Sequence, residues 1–271
     1  MGLIGKAAEF LALHVPGKPL LQPNAFDIGS ARILESLGFQ AIATTSSGAA
    51  ATVGRVDGSI GRDGALAHCT AVAESVSVPV SGDTENGYAD EPAAVAAFVT
   101  EATSTGLAGC SVEDWSGTAT YELSLATERI AAAAEAAHRG PTQFVLTARA
   151  DGHLHGTDNL DSVIHRLQAY SAAGADVLFA PGFAALDDIR RIISETDKPV
   201  NMLVNVLVDD ACPPLEQFAE AGAARISVGG SLAWVAYGAV IEAARELKES
   251  GTYGYSEKIL AARDAVRSVL R

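Results

Sequence analysis

Short apolar runs alternate with longer stretches of helical period along the whole chain. Strand-like runs fall at Leu20–Gln22, Ala41–Thr44, Pro79–Gly82, Gly109–Glu113, Phe144–Arg149, Asp176–Ala180, Val200–Val204 and Arg225–Val228. Between them the spacing predicts helices such as Glu91–Thr105, Ala126–Arg139, Asp158–Ala173, Leu186–Glu195 and Pro214–Ala221. Two of these helices end in Ala-Gly-Ala, at Ala173–Ala175 and Ala221–Ala223, with glycine available for the left-handed C-terminal position. Strands alternating with helices imply parallel pairing and right-handed crossovers. Eight such units in about 250 residues predict an α/β fold of the (β/α)8 TIM-barrel type rather than an open sheet. Gly5–His14 adds a helix before the first strand, and Ser231–Glu249 and Ser256–Leu270 form a helical C-terminal tail. The tail is amphipathic, with Ile259, Leu260, Val266, Val269 and Leu270 apolar, so it packs on its own barrel or on a partner subunit. No linker or composition break divides the chain, which reads as one domain, 1–271, with 231–271 as its C-terminal helices.

Composition narrows the function classes. With 48% hydrophobic residues the chain builds a sizeable core, and a net charge of −14 argues against nucleic acid or an anionic membrane surface as partner. A local positive charge still accommodates an anionic substrate. Cysteines at 69, 110 and 212 lack metal-binding spacing and leave one unpaired, which predicts a reduced, cytoplasmic setting. Glu9 interrupts the N-terminal apolar stretch, so no signal peptide is expected, and no apolar run approaches the length of a membrane span.

The candidate chemistry gathers at strand ends, where a barrel places its active site. Asp83 and Glu85 follow the third strand within the glycine-rich stretch VPVSGDTENGYAD, and alternation along a strand predicts that both leave it on one side. Two such carboxylates repel unless a proton or cation lies between them. An isolated D-x-E is also an ordinary solvated loop, but a second acidic strand end follows in Ser111–Asp114. Oxygen ligands without sulfur or imidazole suit Mg²⁺, with Mn²⁺ possible. Inward-facing Glu113 brings Ser111 and Gly109 inward and leaves Cys110 as a packing thiol; inward Arg149 brings Thr147 and Val145. Asp151 either orients Arg149 or forms a structural ion pair. His153 and His155 lie in a glycine-flanked loop beyond it, where substrate contact and metal binding are both open. Gly229–Gly230 is a phosphate cradle or simply a tight turn, and either Asn201 or Asn205 faces the site.

TTSSG at 44–48, VDG at 56–58, GDTENGYAD at 82–90, SVED at 111–114, TARAD at 147–151 and RISVGG at 225–230 together resemble the isocitrate lyase/phosphoenolpyruvate mutase superfamily. That resemblance implies a barrel with a helix swapped between subunits, a homo-oligomer built as a dimer of dimers, and Mg²⁺-dependent enolate chemistry on a small 2-oxo or 2-hydroxy acid. By position, Asp83 resembles the direct metal ligand, and Glu85 and Glu113 the residues that hold the metal's waters. Ser47 and Gly48 resemble the turn whose N–H groups meet the substrate carboxylate. Arg149 resembles the arginine on the substrate's anionic end, and Asp57 the aspartate of a mobile loop over the site. The carbon–carbon lyases carry a KKCGH cysteine motif after the fourth strand; here that stretch is Trp115–Tyr121, WSGTATY, without Cys, Lys or His. The asparagine-bearing loop of the mutases is missing as well. The leading expectation is therefore a Mg²⁺-dependent lyase or decarboxylase of an oxaloacetate-like acid, weak on isocitrate and methylisocitrate. Phosphonate P–C chemistry, as in a phosphonopyruvate hydrolase or a mutase, is the alternative enzyme. A non-catalytic dicarboxylate-binding barrel is the alternative of another class.

Overall fold

A computed structural model describes residues 3–141, 143–204 and 212–270. Asn205 lies outside them. Helix α1 (Leu3–Ala12) precedes two short strands, β1 (Leu20–Gln22) and β2 (Asn24–Ala25). Then follow α2 (Ile28–Ser36), β3 (Ile42–Thr44), α3 (Ser46–Thr52), α4 (Gly61–Ser75), β4 (Val80–Asp83), α5 (Pro92–Ala102), β5 (Gly109–Glu113) and α6 (Leu123–His138). The second half contains β6 (Val145–Arg149), α7 (Leu160–Ala172), β7 (Val177–Phe179), α8 (Leu186–Ser194), β8 (Val200–Leu203), α9 (Leu215–Glu220) and β9 (Arg225–Ser227). Helices α10 (Ser231–Ser250) and α11 (Ser256–Val269) end the described chain.

All strand pairs are parallel, in the order β1-β9-β8-β7-β6-β5-β4-β3-β2. The predicted first strand, Leu20–Gln22, is β1, and β2 is a further short strand just after it. Pro23 has no N–H to offer a ladder and separates them. Before it, Leu20–Gln22 pairs with β9; after it, Asn24–Ala25 pairs with β3, so one stretch of chain joins both ends of the sheet into a nearly closed barrel. The TIM-barrel expectation holds, with three helices, α2, α3 and α4, that the periodicity had not resolved.

The predicted strand parity holds as well. Cys110, Val112, Leu146 and Ala148 are buried against the helices, while Val145 joins Phe10, Ala7, Leu20, Ala41, Ala108 and Val177 in a separate apolar layer that α1 covers. Small residues let the helices sit close: Ala126, Ala133, Ala134, Ala136 and Ala137 of α6 are all buried. The Ala-Gly-Ala endings behave as expected, Gly174 and Gly222 taking φ of +104° and +94°. Among the described residues no helix is long and apolar enough to cross a membrane.

Candidate active site

Strand register builds the site. Glu113 and Arg149 are direct neighbours at the ends of β5 and β6, and Asp83 lies opposite Ser111 one strand further. Arg149 Nη1 reaches Glu113 Oε2 at 3.2 Å and Asp83 Oδ1 at 3.5 Å. Its other side is clamped by Asp151, Nε to Oδ1 at 2.6 Å and Nη2 to Oδ2 at 2.7 Å, a two-pronged match of fork to carboxylate. Asp151 therefore orients Arg149. Asp151 is itself buried and held from behind: its N–H donates to Asp114 Oδ1 at 2.8 Å, and Asp114 Oδ2 accepts from Tyr170 Oη at 2.6 Å. Phe179 lies beneath the Arg149 guanidinium, 5.2 Å from ring centre to Cζ.

Asp83 and Glu85 do come together, but not by strand alternation. The strand ends at Asp83, and Glu85 sits in a turn at φ +47°, an unusual left-handed conformation for a residue with a side chain. The Gly87 N–H donates to the Thr84 carbonyl at 2.9 Å, closing the turn, and the Glu113 N–H donates to the Glu85 carbonyl at 2.9 Å. That last bond sets the two glutamates side by side. Asp83 is fixed by two backbone contacts with the neighbouring strand end: its Oδ2 accepts from the Ser46 N–H at 2.9 Å, and its N–H donates to Thr44 Oγ1 at 2.8 Å.

Crowded carboxylates resist ionisation. Burial pushes Glu85 up to about 7, against a Tyr88 hydroxyl that donates to it at 3.0 Å, and the charges of Asp83 and Asp57 push the same way. Glu113 is raised well above the ordinary carboxylate range, chiefly by burial, which the adjacent Arg149 only partly offsets. Asp57 is raised by loss of water and by Asp83. It lies on the loop between α3 and α4, whose Gly54, Gly58 and Gly61 all adopt left-handed φ.

Two adjoining cavities share Ser46, Asp57 and Arg149. The outer one, about 390 Å³, is bounded by Glu85, Tyr88, Glu113, Trp115, Asp151 and His155. The inner one, about 180 Å³, runs into the barrel past Asp83, Ser47, Ser111, Asn201 and Arg225. Of the two asparagines considered, Asn201 faces this space. Ser47 and Gly48 belong to the first turn of α3 rather than to an open turn, and the Gly48 N–H points to the capping Thr45 hydroxyl at 3.4 Å. Gly48 is glycine for a packing reason too: a Cβ would come within 2.7 Å of Phe26 Cβ and 3.2 Å of Ala233 Cβ. The Gly229–Gly230 turn is held by Asn24, whose Oδ1 accepts from the Val228 and Gly229 N–H groups at 3.0 and 2.9 Å.

Among the described residues no three His, Cys, Asp or Glu side chains converge closely enough to ligate a metal together. A cation that keeps most of its water does not require that. Mg²⁺ is commonly held by one or two carboxylates with water filling the other positions. Asp83, Glu85 and Glu113 offer only hard oxygen, and burial raises the proton affinity of the two glutamates. The donor set fits Mg²⁺.

Arg129 is a supporting residue that sequence reasoning missed. Fully buried on α6, it donates to the carbonyls of Glu113 (3.2 Å), Ala89 (2.9 Å) and Asn86, and covers the Tyr121 ring at 4.0 Å. It ties both acidic loops together, yet in sequence it is one more helix arginine.

The family model described as phosphoenolpyruvate phosphomutase matches residues 10–248. This chain belongs to that family, within the phosphoenolpyruvate mutase/isocitrate lyase superfamily. A candidate lyase/mutase of Burkholderia cenocepacia J2315 superposes with a TM-score of 0.94 at 40% identity, over 99% of this chain and 97% of that one. An uncharacterized protein of Mycobacterium tuberculosis H37Rv is 34% identical over 82% of this chain and 81% of its own length. The 2-methylisocitrate lyase of Escherichia coli K12 is 28% identical over 75% of this chain and 74% of its own. The superfamily comprises lyases and mutases of small carboxylates.

Where the superfamily's lyases are expected to carry a cysteine loop, this chain has a compact turn. Ser116 donates its N–H and hydroxyl to the Ala119 carbonyl at 2.9 and 2.8 Å, Gly117 takes φ +91°, and Trp115 bridges to Thr120.

Proposed function

We propose that this protein is a Mg²⁺-dependent lyase acting as a decarboxylase on a small 2-oxo di-acid of the oxaloacetate type. The observation that carries this reading is the ring of carboxylates, Asp57, Asp83, Glu85, Glu113 and Asp151, around the single Arg149 at the mouth of the barrel. So much negative charge in one cleft is costly for a passive binding barrel and useful to an enzyme that recruits a divalent cation.

Asp83 would hold Mg²⁺ directly, with Glu85 and Glu113 on its waters. When bound there, the ion supplies Lewis-acid polarisation of a 2-oxo group and takes up charge that develops on its oxygen. Arg149, held by Asp151, presents its remaining N–H groups to the substrate's anionic end without swinging away. The N-terminal turn of α3 borders the inner cavity at Ser46 and Ser47 and would suit a carboxylate through its backbone dipoles. Asp57 on its glycine-flanked loop would close over the substrate and exclude water.

Product analysis tests the reading. Purified protein with Mg²⁺ should convert oxaloacetate to pyruvate and CO₂, EDTA should abolish this, and Arg149→Ala should lower turnover roughly 10²-fold or more. Isocitrate and 2-methylisocitrate should turn over at least ~10²-fold more slowly, because a positioned acid or base is worth ~10²–10⁴-fold. Rapid cleavage of either would overturn the assignment. Phosphonate chemistry is the second reading, favoured by the phosphomutase family match. Release of phosphate, or its migration, on a phosphonopyruvate-type substrate would decide for it.

A further inference from the structure

The outer cavity contains one imidazole that the roles above leave unused. His155 lies on the loop after β6, stacked flat on Trp115 with centroids 3.7 Å apart and planes 8° from parallel. Its Nε2 is 3.9 Å from Asp151 Oδ2, the same carboxylate that grips Arg149. The His155 N–H donates to the Asp151 carbonyl at 3.2 Å, and the Thr157 N–H to the Gly152 carbonyl at 2.8 Å. Thr157 also pairs with Thr120 through their hydroxyls at 2.7 Å, so the loops after β5 and β6 are joined twice. Gly152 is glycine because a Cβ there would run into the Asp158 carboxylate. The glycines flanking the two histidines therefore serve a fastened loop. His153, by contrast, stacks on Phe183 at 3.8 Å, and neither cavity is lined by it.

We propose that His155 is the catalytic proton donor of this site, held by Trp115 on one face and Asp151 at one edge. The proposal rests on the decarboxylation reading. In that reaction the bond between C3 and the departing carboxylate breaks, and its electron pair forms the C2–C3 double bond of an enolate. Protonated His155 then gives its proton to C3, yielding pyruvate, and neutral His155 recovers a proton from solvent. The side chain is 32% exposed, which leaves that return path open. C3 adjoins the 2-oxo carbon, so the donor need not reach a distant fragment as a lyase cysteine must. The other ionisable groups facing this cavity are Asp57, Glu85, Tyr88, Glu113, Arg149 and Asp151. Four of the six are carboxylates, and Asp151 lies at the edge of the His155 ring, 3.9 Å from Nε2.

Two measurements test this. In the first, the imidazole signals of the protein are followed by NMR while oxalate is added with Mg²⁺, His155→Ala supplying the assignment. The His155 signal should move and the His153 signal should stay. In the second, His155→Ala should lower kcat on oxaloacetate by ~10²-fold or more with little change in KM, and added imidazole should restore part of it. His153→Gln should match the wild type. A His155 signal indifferent to oxalate, or a His155→Ala enzyme with unchanged kcat, overturns the proposal. A wild type whose His155 responds to oxalate but which leaves oxaloacetate intact overturns the decarboxylation reading alone, and the substrate contact of His155 stands.

Discussion

At the residue scale the site is a charge problem with a partial solution. Arg149 touches three carboxylates and cannot neutralise them all. If Asp83 anchors the metal, Mg²⁺ should raise the melting temperature of the wild type. At ~100 times its dissociation constant the effect corresponds to roughly 2.7 kcal/mol by mass action. Asp83→Ala should abolish the shift, and an equal shift in both proteins places the metal elsewhere. His14, at the other end of the barrel, poses the opposite case. Its Nδ1 bonds the Phe10 carbonyl at 2.8 Å, and its Nε2 meets Arg225 Nη1 at 3.2 Å, so the neutral ring accepts from the arginine. Burial and then Arg225 push His14 down to about 3. In the unfolded chain the ring takes up a proton near 6.5. Stability from this group is therefore complete above pH 6.5 and lost as pH falls toward 3, with a limiting slope of about 1.4 kcal/mol per pH unit. His14→Gln should flatten acid unfolding in that window. An unchanged pH profile would show that the ring is protonated in the folded protein.

At the element scale the two acidic loops owe their positions to a helix behind them. Arg129 of α6 donates to three carbonyls, one at the end of β5 and two in the loop after β4. Arg129→Met keeps the volume and orphans those acceptors, each costing about 1–3 kcal/mol when buried. Urea denaturation should show a loss of at least ~3 kcal/mol, with weaker Mg²⁺ binding in the protein that remains folded. A variant of wild-type stability and metal affinity would mean that the loops hold themselves. Helix and strand types were largely legible from periodicity, as α5 to α9 show. The short α3 was not, because TTSSGAAAT has a turn-like start and no apolar stripe. Its N-cap Thr45 and its tight seat against Phe26 and Ala233 belong to packing.

At the scale of the whole molecule, the C-terminal helices are the least covered part. Helix α11 has no buried residue, and Val235, Val240, Ile241, Ile259 and Leu260 are each more than half exposed. We propose that this apolar surface meets another subunit, as helix swapping would provide. Deleting residues 252–271 should then yield monomers or aggregates by light scattering. A truncated protein with the wild-type assembly size would remove the tail from the interface.

What the sequence by itself determined is the barrel and the roster of chemical groups. Alternating periods specify a closed parallel barrel, and strand ends carry the polar residues because that is where the fold exposes them. Strand-end motifs mark Asp83, Glu85, Glu113 and Arg149 in advance, and the family resemblance adds Asp57. Their mutual geometry was decided only by tertiary structure, since distances across neighbouring strands depend on register and turn conformation, neither of which is local. The left-handed turn at Glu85, the Asp151 clamp on Arg149, the Arg129 tie and the stacking of Trp115 on His155 all join residues from different strand–loop units or depend on buried packing. No periodic pattern records such contacts, because each partner alone looks like an ordinary loop or helix residue.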